Sequence, residues 1–258
     1  MAKKMKKNKK SLSLSSIRNE LHIFLEKEKI VREIQDDFVE ILEKNTNASL
    51  KSVKITNLYD PIIGDTNSAR IWRVNLEKLT NSENQGSKNQ RFYVTGKTTE
   101  IALLVLAKRE VNSTLYVCLI ELKSSLRPDE KNREKWSCLD DVADKFQSSI
   151  NKICLLLTLN NHDNPLQGYE NQNINVIFKG LLFYNKDNID RSSPLLQEPL
   201  ESPGTNLLAI LDSQKPESPS ILSVTTMLDN INKIEIKFLK NPNEDTDEME
   251  VSIQDLIT

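Results

Sequence analysis

The chain's 258 residues are enough for one large domain or two small ones, and a 38% hydrophobic content can supply a real core. Its formal net charge of -2 is unevenly spread, with six lysines in Met1–Lys10 and only acids among the charged residues after Pro242. No apolar run approaches the roughly 18 residues that cross a bilayer, the basic N-terminus lacks the apolar stretch of a signal peptide, and Cys118, Cys138 and Cys154 form no C-x-x-C pair. A soluble protein of a reducing cytoplasm, with no membrane partner, is expected.

In chain order, Met1–Lys10 reads as a solvated tail, because nothing in it can bury enough apolar surface to offset the entropy of ordering. From an N-cap at Ser15 or Ser16, the positions Ile17, Leu21, Phe24, Val31, Ile34, Phe38 and Ile41 recur at helical spacing. They predict one long helix, or two with a break near Glu28. Leu50–Leu58 alternates as a short strand, Ile71–Leu76 as another, and Thr80–Gln90 is a polar loop. Glu100–Ala107 and Thr114–Leu122 are near-continuous apolar runs of the type buried on both faces, joined as a hairpin through Lys108–Ser113. After Arg127-Pro128-Asp129, the positions Trp136, Leu139, Ala143, Phe146, Ile150, Ile153 and Leu157 define one apolar helical face. Ile174–Tyr184 is a strand with a bulge or close approach at Gly180. The proline-rich Asp190–Pro219 surrounds a short apolar piece at Leu207–Leu211, and Ile221–Thr258 offers a short helix near Met227, a strand at Lys233–Leu239 and a last one at Met249–Ile253. The division expected is a basic tail (1–14), an α/β core (15–190), a linker or loop (191–220) and a C-terminal α+β extension (221–258).

The chemistry concentrates at Glu121-Leu122-Lys123. A period of two puts both charged side chains on one face of an otherwise apolar strand, where an unpaired charge is costly. A carboxylate that binds a hard cation, beside a lysine that orients water, suits phosphodiester cleavage. Such a site wants a second carboxylate from the neighbouring strand, and Glu100 is the nearest. A second E-x-K, Glu235-Ile236-Lys237, reads as the solvent face of an edge strand whose apolar face is Ile234, Ile236 and Phe238. Two histidines without H-x-x-x-H spacing or a cysteine partner argue against a zinc site, and no phosphate-binding glycine loop or serine-hydrolase elbow is present.

The stretches Thr99–Leu104 and Val117–Ser125, followed by the helix, resemble the PD-(D/E)xK nuclease superfamily, in particular its Holliday-junction-resolvase-like branch. The resemblance implies a three-layer α/β/α restriction-endonuclease-like core with a central mixed sheet. It implies a metal-dependent nuclease acting on DNA with Mg²⁺ or Mn²⁺, with Glu121 and Glu100 on the metal and Lys123 assisting the nucleophile. A glutamine or charged residue of the next helix often faces the site in that family, which points to Gln147. Resolvase-like members often read Glu-Ile-Asp where this chain has Glu100-Ile101-Ala102. Either Glu100 takes over the acid's role, Asp60 or Asp65 supplies it, or the site has lost its metal and the chain is an inactive nuclease-fold subunit that binds nucleic acid or a protein. The lysine tail suits phosphate contacts or serves as a solubilising terminus; a homodimer or larger complex is left open. A purely structural module built on the proline-rich region and the acidic end is a third reading.

Overall fold

The computed structural model describes residues 23–59, 70–79, 96–107, 113–127, 138–160, 174–189, 207–208, 211–212, 220–224 and 233–257. It is a mixed α/β fold built on a large mixed sheet. The strands are β1 (Val31–Glu33), β2 (Phe38–Leu42), β3 (Ser52–Thr56), β4 (Arg70–Val74), β5 (Ile101–Ala107), β6 (Ser113–Leu126), β7 (Ile174–Asp187), β8 (Ser220–Ser223), β9 (Lys233–Lys240) and β10 (Glu248–Ser252). Among the described residues, the two helices that pack on the sheets are α1 (Cys138–Asn160) and the short α2 (Ile253–Ile257). The seven-stranded sheet has the order β1-β4-β5-β6-β7-β9-β8, and a three-stranded sheet has the order β10-β3-β2.

The expected hairpin is β5 paired antiparallel with β6, Ile101 opposite Ile120 and Ala107 opposite Thr114. β6, β7 and β9 run parallel, and parallel neighbours need a crossover. Between β6 and β7 that crossover contains α1. Its stripe Leu139, Val142, Ala143, Phe146, Ile150 and Ile153 packs in one core with Ala102, Val117, Leu119, Leu182 and Ile236. The opposite sheet face, with Ile71, Leu103, Val105, Cys118, Ile120 and Phe183, shares a second core with Ile41, Val53, Ile55, Met249 and the α2 residues Ile253 and Leu256. Both faces of β5 and β6 are therefore covered, which is why their sequences run almost without polar interruption. Helix α1 lies on one face, and the three-stranded sheet with α2 covers the other.

Gly180 is a close approach. A Cβ there would stand 2.4 Å from Ile236 Cδ1 and 3.2 Å from the Phe146 ring, so the glycine lets α1 settle onto β7. The register of β7 against β6 runs through Gly180 without a bulge.

The N-terminal helical expectation overran. Residues 23–27 are helical, and the helix stops there because Lys29 takes a left-handed conformation (φ 52°). The Ile30 N–H returns to Leu25 O at 2.9 Å and the Lys29 N–H to Glu26 O at 3.0 Å, a Schellman-type end with Ile30 and Phe24 buried together. Beyond it, Val31 lies in β1 and Phe38 and Ile41 in β2. Val39 and Ile41 are buried while Phe38 and Leu42 are exposed, a period of two that the coincidental three- and four-residue steps had masked.

The second E-x-K is not on an edge. β9 lies between β7 and β8, and Glu235 pairs at 3.1 Å with Lys179, a buried lysine of β7. The described residues of the C-terminal stretch, 220–224 and 233–257, are woven into the core: β8 and β9 extend the large sheet, and β10 pairs in parallel with β3. Leu207 and Leu208 of the proline-rich stretch are buried in the α1-side core. Asp60, Asp65, the Thr80–Gln90 loop, Trp136 and the expected helix near Met227 lie outside the described residues, as does the basic tail. No helix among the described residues is long and apolar enough to cross a membrane.

Candidate functional site

The odd-numbered β6 residues Val117 and Leu119 face α1, so the strand's alternation sends Glu121 and then Lys123 to the same face. With Ile101 opposite Ile120, the residue preceding β5, Glu100, comes level with Glu121. Glu100 Oε2 accepts the Leu122 N–H at 2.9 Å, a side-chain bond that carries the β5–β6 pairing one step beyond its backbone ladder.

Glu100 is further fixed by the segment leading into it, which lies along one flank of α1. The Thr99 N–H donates to Ser149 Oγ at 3.0 Å and the two hydroxyls lie 3.1 Å apart, both residues fully buried. Lys152 Nζ donates to Gly96 O at 3.2 Å, and Lys97 pairs with Asp141 at 2.9 Å. Gly96 itself has φ +107°, a conformation that glycine adopts without strain and other residues do not.

The same flank delivers Lys145. Its ammonium donates to Glu121 Oε1 and lies 4.0 Å from Glu100 Oε1. Lys123 Nζ reaches the same Glu121 Oε1 at 3.0 Å. Glu121 is 0% exposed, whereas the Lys145 and Lys123 side chains keep 19% and 25% of their surface. One carboxylate oxygen thus takes two ammonium groups, and the other, Oε2, is buried with no N–H or ammonium donor among the described residues.

The electrostatics follow from that crowding. Burial, and next the Glu121 charge beside it, push the Glu100 carboxyl well above the ordinary carboxylate range, a hydrogen bond to the Glu121 carboxylate adds to the rise, and Lys145 and the Leu122 N–H only partly oppose it. Burial by itself would pull the Lys123 ammonium down; the charge and hydrogen bond of Glu121 outweigh it and leave Lys123 raised.

Three of the four residues expected from sequence, Glu100, Glu121 and Lys123, come together. Gln147 is half-buried on the far flank of α1, since two residues on a helix are about 200° apart, and Lys145 takes the flank that faces the carboxylates. Lys145 was missed by sequence reasoning. The signal was there in part: the polar positions flanking Phe146 are Lys145 and Gln147, but choosing between flanks requires knowing that β5 lies on one side of β6 and β7 on the other.

Comparison with family models, with curated proteins and with solved structures yields no match for this chain. The site is therefore read from its own geometry. Among the described residues no group of three or more His, Cys, Asp or Glu is placed to hold a metal, so the acid set here is the pair Glu100 and Glu121. Ala102 is fully buried in the α1-side core and offers no ligand. Two neighbouring carboxylates, one of them with a buried oxygen that meets no N–H or ammonium donor among the described residues, are a pair of hard oxygen donors. That suits a hard cation, because Mg²⁺ is often held by one or two carboxylates and completes its shell with water and phosphate oxygens.

Proposed function

We propose that this chain is a metal-dependent nuclease that hydrolyses phosphodiester bonds in DNA, with Mg²⁺ or Mn²⁺ held by Glu100 and Glu121. The observation that carries the reading is the buried Glu121 carboxylate, whose Oε2 meets no N–H or ammonium donor among the described residues, beside Glu100 on the face that also presents Lys123. The order of the core around it, a strand, the β5–β6 hairpin, α1 and the parallel β7, supports a restriction-endonuclease-like arrangement.

Bound there, the cation would lower the pKa of a coordinated water and neutralise phosphate charge. Glu121, immobilised within strand β6, would supply a ligand whose position does not depend on the substrate. Glu100, tied to the Leu122 N–H, is held in the same way from the other strand. Lys123 places a raised, and so firmly charged, ammonium beside them, suited to holding the attacking water and the charge that develops on the phosphoryl oxygens.

Purified protein incubated with single-stranded, duplex and branched DNA in Mg²⁺ or Mn²⁺ is expected to show cleavage that Glu121→Gln and Lys123→Ala both abolish. Absence of cleavage on all of them, or cleavage that survives both substitutions, removes the proposal. The buried Ala102, at the position where an acid was expected, favours one second reading: a nuclease-fold subunit that binds nucleic acid without cutting it. Glu121-dependent Mn²⁺ uptake together with cleavage rejects that alternative; DNA binding without either supports it.

A further inference from the structure

We infer that Lys145 is a resident counter-ion of the Glu100–Glu121 pair, displaced when a divalent cation enters, and is thereby the positioning residue that sets how tightly the site takes its cation. The inference rests on the metal-dependent reading and adds to it the control of cation entry by one side chain.

The two lysines are not equivalent. Lys123 comes from the same strand as Glu121 and ion-pairs with Glu121 Oε1. Lys145 comes from α1, hydrogen-bonds Glu121 Oε1 and stands 4.0 Å from Glu100 Oε1, so its ammonium reaches toward both carboxylates as a shared cation would. A dication between the two carboxylates would compete for the place of the ammonium that spans both, so Lys145 gives way, while Lys123, which pairs with Glu121 alone, stays at the side of the site. Lys145 is built to leave. Its side chain retains 19% exposure at the border of the buried stripe, and four methylenes let the ammonium swing into water while the helix stays packed through Phe146. The incoming ion meets Glu121 Oε2, which no N–H or ammonium donor among the described residues occupies.

The test uses Mn²⁺ as the probe on the full chain, with two readouts. Calorimetric titration compares wild type with Lys145→Met, Lys145→Arg and Glu121→Gln. Removing the competing charge is expected to tighten Mn²⁺ binding at least about tenfold in Lys145→Met, while Lys145→Arg binds no tighter than wild type. Glu121→Gln is expected to lose uptake. In parallel, acetylation of wild-type lysines read by mass spectrometry should show Lys145 labelling slowly without Mn²⁺ and several-fold faster with it. A merely structural lysine would change neither affinity upward nor reactivity. If Mn²⁺ is not taken up by wild type or by Lys145→Met, the metal-dependent reading and this inference fall together. If uptake depends on Glu121 but Lys145→Met binds no tighter, or Lys145 labelling ignores Mn²⁺, this inference alone is overturned. Should Lys145→Met fail to fold, the wild-type labelling decides.

Discussion

Lys145 and Glu121, 24 residues apart in sequence, meet where helix α1 packs against strand β6. Glu121 is fully buried and its charge is supported by Lys145 and Lys123. Either lysine alone leaves the carboxylate one ammonium partner; losing both leaves the buried charge with no cation among the described residues. The double variant Lys123→Met/Lys145→Met is therefore expected to lose about 3–5 kcal/mol of stability, more than the sum of the two single losses. Urea unfolding of the four proteins measures the coupling, and additive losses would show that Glu121 is satisfied by some other group.

Much of this site could be read from sequence because it is local. The β5–β6 hairpin and α1 each carry a continuous periodic signal, and register alone brings Glu100 level with Glu121. What escaped is non-local. The second core depends on β2, β3 and β10, and β10 comes from the far end of the chain: Thr56 hydrogen-bonds the carbonyl of Val251, 195 residues away. β9 was read as an edge because the short β8 that covers it carries too few residues for a pattern. The helix was overextended because a three- and four-residue recurrence of apolar residues also fits two short strands when a turn separates them.

That turn supplies a second prediction. Lys29 sits in the left-handed region, where a Cβ costs roughly 1–2 kcal/mol, and it serves as the residue that closes the helix ahead of β1. Its hydrogen-bonding role is through the backbone, so Lys29→Gly should keep the Ile30-to-Leu25 bond and raise stability by about 1 kcal/mol. Thermal and urea unfolding check the sign; destabilisation would mean that the lysine side chain contributes more than its strain removes.

Gly180 provides a third. An added methyl would meet Ile236 Cδ1 at 2.4 Å and the Phe146 ring at 3.2 Å. Ile236 can withdraw its terminal methyl, but the ring is packed in the centre of the α1 stripe and yields less. Gly180→Ala is expected to cost about 1–3 kcal/mol by overpacking. Ile236→Val, which removes the offending methyl, should recover part of that loss in the double variant. A cost identical in both backgrounds would place the strain at Phe146 alone.

Lys152 gives a prediction for pH. It is a 2% exposed lysine on the flank of α1 that donates to a backbone carbonyl, Gly96 O, and burial lowers its pKa from 10.5 to about 8. Between those two values the unfolded chain holds a proton that the folded chain has released, so stability rises as pH increases from about 8 toward 10.5. Below about 8 the folded protein carries the buried charge and its full cost. Lys152→Met, which keeps the length and removes the charge, should raise stability at pH 7 by on the order of 1 kcal/mol and flatten this rise. Unfolding midpoints of wild type and variant measured across that range decide it: parallel curves would mean that Lys152 is charged in both states throughout, supported by a partner stronger than one carbonyl.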